Sequence, residues 1–133
     1  MAMLFYGHVR TTRDLDVVVN PTRENLDRVA DGLIEERAFL ILNPNRPFGA
    51  RERWALHKGS NATVLTGLGQ VDVVQRLAGM PAWAQLAAEA EIYEVDAMRV
   101  RVMARRTWIE LKRARGSHQD LADIDAVQTL DDL

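Results

Sequence analysis

The stretch Arg10-Thr11-Thr12-Arg13-Asp14-Leu15-Asp16-Val17-Val18-Val19 decides the fold. Polar and apolar residues alternate, then run into three β-branched valines, the pattern of a strand entering a core. Residues two apart on a strand share a face. Arg10, Thr12, Asp14 and Asp16 are therefore expected on one side, with Leu15 and Val17 turned to the other. Asn20-Pro21 follows as a helix start, with Asn as N-cap and Pro at the first helical position. Leu26, Val29, Ala30, Leu33 and Ile34 at helical spacing predict a helix over 21–36.

Further along, Phe39–Leu42 reads as a short strand or helix tail, and residues 43–50 as a loop, because they hold two prolines and a glycine. Asn61–Thr66 and Gln70–Gln75 flank Gly67-Leu68-Gly69 and predict a β-hairpin. A helix is expected from Pro81 to about Ala90, with Trp83, Leu86 and Ala87 inward. A second strand pair, Ile92–Val95 and Arg99–Ala104, surrounds Asp96-Ala97-Met98. Helices from Thr107 to the Gly116-Ser117 break and from Gln119 to Leu130 complete the chain. The order β-α-β-β-α-β-β-α-α predicts an α+β (mixed α/β) protein, a mixed sheet flanked by helices.

Composition narrows the function classes. At 133 residues the expectation is a single domain over 1–133. With 17 basic and 19 acidic residues, the net charge of −2 argues against an electrostatic coat for nucleic acid. No cysteine is present, so disulfides and thiolate metal sites are excluded, and a cytoplasmic location is expected. No apolar run is long enough to cross a bilayer, so no membrane partner is expected. The apolar Met1–Tyr6 stretch lacks the features of a secretory leader.

The chemistry-bearing candidates are acids. Carboxylates at i and i+2 of a strand start roughly 6–7 Å apart at the backbone, and their side chains can converge on a hard cation. A bare Asp-x-Asp is also what a solvated strand end looks like, its acids facing water or pairing with Arg10 and Arg13. A third acid, Asp72, lies in the apolar run Gln70-Val71-Asp72-Val73-Val74. Burial there is unfavourable unless a partner or a metal compensates the charge; a sheet edge facing solvent is the alternative. Three strand-borne acids suggest a cage for one or two divalent ions and a phosphate-bearing ligand. The remaining candidates point elsewhere. His8, His57 and His118 lack metal-ligand spacing, and Ser60 and Ser117 lack a triad. Trp54, Trp83 and Trp108 read as core or interface anchors, and the arginines between Arg99 and Arg115 as a solvated face.

In its order of motifs the chain resembles the AbiEii-like minimal nucleotidyltransferases of the DNA polymerase β superfamily. The resemblance is carried by Arg10-x-Thr12-x-Asp14-x-Asp16, the strand around Asp72, the Trp108-x-x-x-Lys112-x-x-x-Gly116 helix, and Asp120-x-x-Asp123. It implies Mg²⁺ (or Mn²⁺) held by Asp14, Asp16 and Asp72, and transfer of a nucleotidyl group from an NTP to a hydroxyl or phosphate acceptor. Asp72 would bind metal or deprotonate the acceptor, while Arg10, Thr12, Lys112 and Asp120 would contact substrate. RNA such as tRNA is the candidate acceptor; a cognate antitoxin and a second copy of the chain are the candidate protein partners. The family's Gly-Gly or Gly-Ser pair would fall just before Met1, so the chain is expected to be N-terminally truncated relative to the family. The same fold without that element can instead serve as a non-catalytic nucleotide-binding or interaction subunit. A metal-dependent nuclease would use the same acids.

Overall fold

The computed structural model describes residues 14–130. They group into two compact units, 14–77 and 78–130. The α+β architecture expected from the sequence is observed, as a five-stranded mixed sheet and a separate two-stranded sheet, with helices. No helix among the described residues is long and apolar enough to cross a membrane.

The first unit holds β1 (Asp14–Val18), α1 (Arg23–Glu35), β2 (Phe39–Leu40), β3 (Asn43–Pro47), α2 (Ala50–His57), β4 (Ala62–Thr66) and β5 (Gly69–Val74). Its sheet runs β1-β5-β4-β2-β3. β1 is parallel to β5, and the other pairings are antiparallel. Strand alternation sends Val17, Val71, Val73, Val64 and Leu40 into a core with Leu26, Ala30 and Leu33 of α1 and Leu56 of α2. The acids of β1 and β5 alternate with these residues and project from the opposite face.

Three local expectations need correction. The N-cap of α1 is Thr22, two residues past Asn20. Asn20 instead closes an Asx-type turn, its Oδ1 accepting from the Thr22 N–H at 3.2 Å, and its own carbonyl accepts from Asn25 Nδ2 at 2.9 Å. Residues 43–47, expected as loop, form β3 despite Pro44 and Pro47. An edge strand tolerates proline, since a missing N–H there spoils no interior ladder. Finally, α2 has no counterpart in the expected element order, because only Leu56 of its eight residues is buried and no apolar stripe announces it.

The second unit holds α3 (Trp83–Glu89), β6 (Glu91–Val95), β7 (Met98–Val102), α4 (Arg105–Arg115) and α5 (His118–Thr129). Asp96 and Ala97 turn the β6–β7 hairpin with φ of 48° and 65°, the left-handed pair that a two-residue loop demands. Gly116, at φ 64°, ends α4 and sends its N–H back to the Lys112 carbonyl at 2.9 Å.

Candidate metal centre

β1 and β5 bring the three predicted acids together. Their parallel register sets Asp16 beside Asp72 and Asp14 beside Gln70. One carboxylate oxygen of each of Asp14, Asp16 and Asp72 lies within 4.8 Å of the other two. Asp14 and Asp16 are exposed, and Asp72 is half-buried. β5 lies between β1 and β4, so Asp72 occupies an interior strand and not a sheet edge. Across β4 its neighbour in register is Thr63.

This donor set suits a hard divalent cation. All three ligands are carboxylates, as Mg²⁺ and Mn²⁺ prefer. Two oxygens bound to one Mg²⁺ at about 2.1 Å sit about 3–4.2 Å apart, so the cluster needs only small side-chain rotations to close on an ion. Three like charges this close oppose one another, and a cation reverses the sign of that interaction. A second contact helps to aim the cluster. Gln70 Nε2 donates to Asp72 Oδ2 at 3.2 Å, which turns the carboxylate through a neutral amide and leaves its charge intact. Sequence reasoning overlooked Gln70, although its i, i+2 spacing from Asp72 was the available signal.

Arg10 and Thr12 lie outside the described residues. Lys112 and Asp120 belong to the 78–130 unit, where they meet each other. Lys112 Nζ lies 2.9 Å from Asp120 Oδ1, donates to Asp123 Oδ2 at 2.8 Å, and sits 5.3 Å from the centre of the Trp108 ring. Asp120 is fully buried, and Arg115 donates to both of its oxygens, through Nε at 2.6 Å and also through Nη2. Ser117 Oγ donates to Asp120 Oδ2 at 2.6 Å and accepts the Asp120 N–H at 3.1 Å, a capping box that starts α5. The Arg115 guanidinium above all, then Ser117 and Lys112, hold the Asp120 carboxyl far below the usual carboxylate range, against the upward push of burial. Asp123, also buried, accepts from Gln119 Nε2 at 2.8 Å.

Two further side chains were singled out by sequence. His57 Nε2 is 2.8 Å from Asp27 Oδ1, and Arg53 bonds the same oxygen at 3.1 Å, tying α2 to α1. These bonds, His57 first, lower the Asp27 pKa. His57 thus helps to brace two helices. Trp54 is exposed, with the Lys58 ammonium 5.6 Å from its ring centre, and so is no core anchor.

A comparison with protein-family models finds no match for the chain, and a comparison with curated proteins finds none either.

Proposed function

We propose that the chain is a Mg²⁺- or Mn²⁺-dependent nucleotidyltransferase of the AbiEii-like kind, acting through Asp14, Asp16 and Asp72. The observation that carries this reading is the convergence of three carboxylates, from two hydrogen-bonded strands, to within 4.8 Å. Strands hold such groups with less backbone freedom than loops do, which suits chemistry that depends on positioning. When bound, the ion would neutralise the triphosphate and polarise the reacting phosphoryl group.

In the reaction proposed, an acceptor oxygen bonds to the α-phosphorus of the NTP as the bond from that phosphorus to the β-phosphate bridge oxygen breaks. Pyrophosphate leaves with that electron pair. The acceptor's proton passes to a carboxylate oxygen, and Asp72, the least exposed of the three acids, is assigned this role. Asp14 and Asp16 would hold the ion. An RNA such as tRNA is the proposed acceptor, and a cognate antitoxin or a second copy of the chain the proposed protein partner.

The test is transfer of radiolabel from α-labelled NTPs to bulk tRNA and small hydroxyl acceptors with Mg²⁺ or Mn²⁺, by the parent chain and by Asp14→Ala. Label transfer that needs both metal and Asp14 is expected. Metal-dependent NTP binding without transfer would support a non-catalytic nucleotide-binding subunit instead, and strand cleavage without transfer a nuclease. Absence of any metal or NTP binding would overturn the reading.

A further inference from the structure

The 14–77 unit carries a concavity built from other residues than the acids. A cleft of about 490 Å³ opens where the β2–β3 turn meets α2 and the start of β4. That volume falls in the range of small-molecule sites, roughly 300–1,000 Å³. Ile41, Leu42 and Ala55 give it an apolar wall, and Arg46, Arg51 and Glu52 supply its charge.

Those charged groups are not equivalent. Glu52 is held by the Gly49 N–H at 3.0 Å and by Arg46, so it is committed to starting α2. Gly49 has no side chain to return the favour, so Glu52 alone forms the side-chain cap of this helix. Arg51 is exposed in the first turn of α2, where the helix dipole disfavours a cation, and it makes no ion pair among the described residues. A residue that breaks a local rule with no visible local compensation is where function is to be sought. Two guanidiniums against one carboxylate leave the cleft with a surplus of one positive charge.

We propose that this cleft binds a small amphipathic monoanion, its apolar body against Ile41, Leu42 and Ala55 and its carboxylate head on Arg51 and the open side of Arg46. A guanidinium fork matches a planar carboxylate in geometry. Glu52 argues for a single negative charge on the ligand. Burial pushes its carboxyl up, but the Gly49 N–H, its own N–H and Arg46 outweigh that and keep it below the usual range, hence ionised at neutral pH. A phosphate monoester, nearly doubly charged there, meets more repulsion from it than a carboxylate does.

Octanoate, octanol, octyl phosphate and inorganic phosphate serve as probes, titrated in chelator-containing buffer and followed by amide NMR shifts around Ala55, Ala62 and Thr63. Octanoate is expected to saturate the site at least tenfold more tightly than octanol or inorganic phosphate, and more tightly than octyl phosphate. Arg51→Glu should weaken octanoate at least tenfold while leaving the fold's spectrum in place, and Ala55→Leu, which fills the cleft, should weaken both octanoate and octanol. The Asp14→Asn/Asp16→Asn double variant should bind octanoate as the parent does, which separates this site from the acid cluster. Octanol binding as well as octanoate, octanoate binding indifferent to Arg51→Glu, no saturable binding, or octyl phosphate binding more tightly would each overturn the assignment.

Discussion

Two groups of aspartates in this chain have opposite surroundings. Asp120 and Asp123 are buried, and Lys112 and Arg115 sit against them with Ser117 and Gln119 filling further acceptor positions. Asp14 and Asp16 are exposed and Asp72 half-buried, and the bond that orients Asp72 comes from the neutral Gln70. Burial forces an acid to bring its own cations, because an uncompensated charge inside a protein is strongly destabilising. An acid at a solvated face is under no such demand, because water already stabilises its charge. The contrast is between acids paired with cations inside the protein and acids that meet solvent.

The largest expected effect breaks the first group. Asp120→Ala removes the acceptor of both Arg115 bonds and of Lys112, and with it half of the α5 capping box. Truncating one side of a buried ion pair costs about 3–5 kcal/mol. Because Arg115 is two-thirds exposed and recovers water, the expectation lies at the lower end, about 3 kcal/mol, measured by urea unfolding. The same residue sets an acid limb. Its folded pKa is depressed, so its stabilising contribution is complete above the unfolded value near 3.8 and is lost as pH falls below it. Between about pH 4 and pH 2 the parent should lose up to about 1.4 kcal/mol per pH unit through this group, and Asp120→Asn should lack that share of the slope.

The two groups also differ in how readily the sequence disclosed them. Period-2 alternation made Asp14, Asp16 and Asp72 visible, because a strand repeats every two residues and an acid in an apolar strand breaks the repeat. Register was the part no pattern could supply. That Asp16 pairs with Asp72 follows from a parallel neighbour 56 positions away, set by core packing on the other face. The Lys112–Asp120–Asp123 knot was not legible at all. Helical spacing cannot tell a lysine that reaches out for phosphate from one that folds back on buried carboxylates. α2 escaped notice because Arg51, Glu52 and Arg53 are charged, Trp54 is exposed, and its only buried side chain gives no period. β3 escaped because prolines read as loop until the strand is known to lie at an edge.

The next effect in size sharpens the second group. Millimolar Mg²⁺ or Mn²⁺ is expected to raise the midpoint of thermal unfolding of the parent chain. At a free metal concentration ten times the Kd, linkage gives about 1.4 kcal/mol. Asp14→Asn/Asp16→Asn should lose that response. Asp120→Asn, destabilised throughout, should keep the metal response. Calorimetric melts of the three proteins in chelator and in metal check all of this. A metal response that survives the double variant, or vanishes with Asp120→Asn alone, would put the ion somewhere other than the β1–β5 acids.

The smallest expected effect concerns aim alone. Gln70→Leu keeps side-chain bulk on the same face of β5 but removes the donor to Asp72 Oδ2. Residues that orient metal ligands typically change affinity by about 10–100-fold when lost. The bond here is 3.2 Å long and half-exposed, so the expectation lies at or below the bottom of that range, a Mn²⁺ Kd raised about threefold to tenfold. A merely structural part for Gln70 would instead lower unfolding stability and leave the metal constant alone. Since the amide is neutral, its loss leaves the cluster's charge unchanged, so melts in chelator should match the parent closely. Gln70→Glu divides the outcomes further, because it keeps the shape and adds a fourth negative charge. If aim dominates, Gln70→Glu weakens Mn²⁺ as Gln70→Leu does; if net charge dominates, it tightens Mn²⁺. Titration of Mn²⁺ by the loss of its free-ion paramagnetic signal reads both variants directly. An unchanged Kd in Gln70→Leu would show that β-strand geometry alone sets the three carboxylates, and would leave Asp72 without the partner that distinguishes it from a solvated acid.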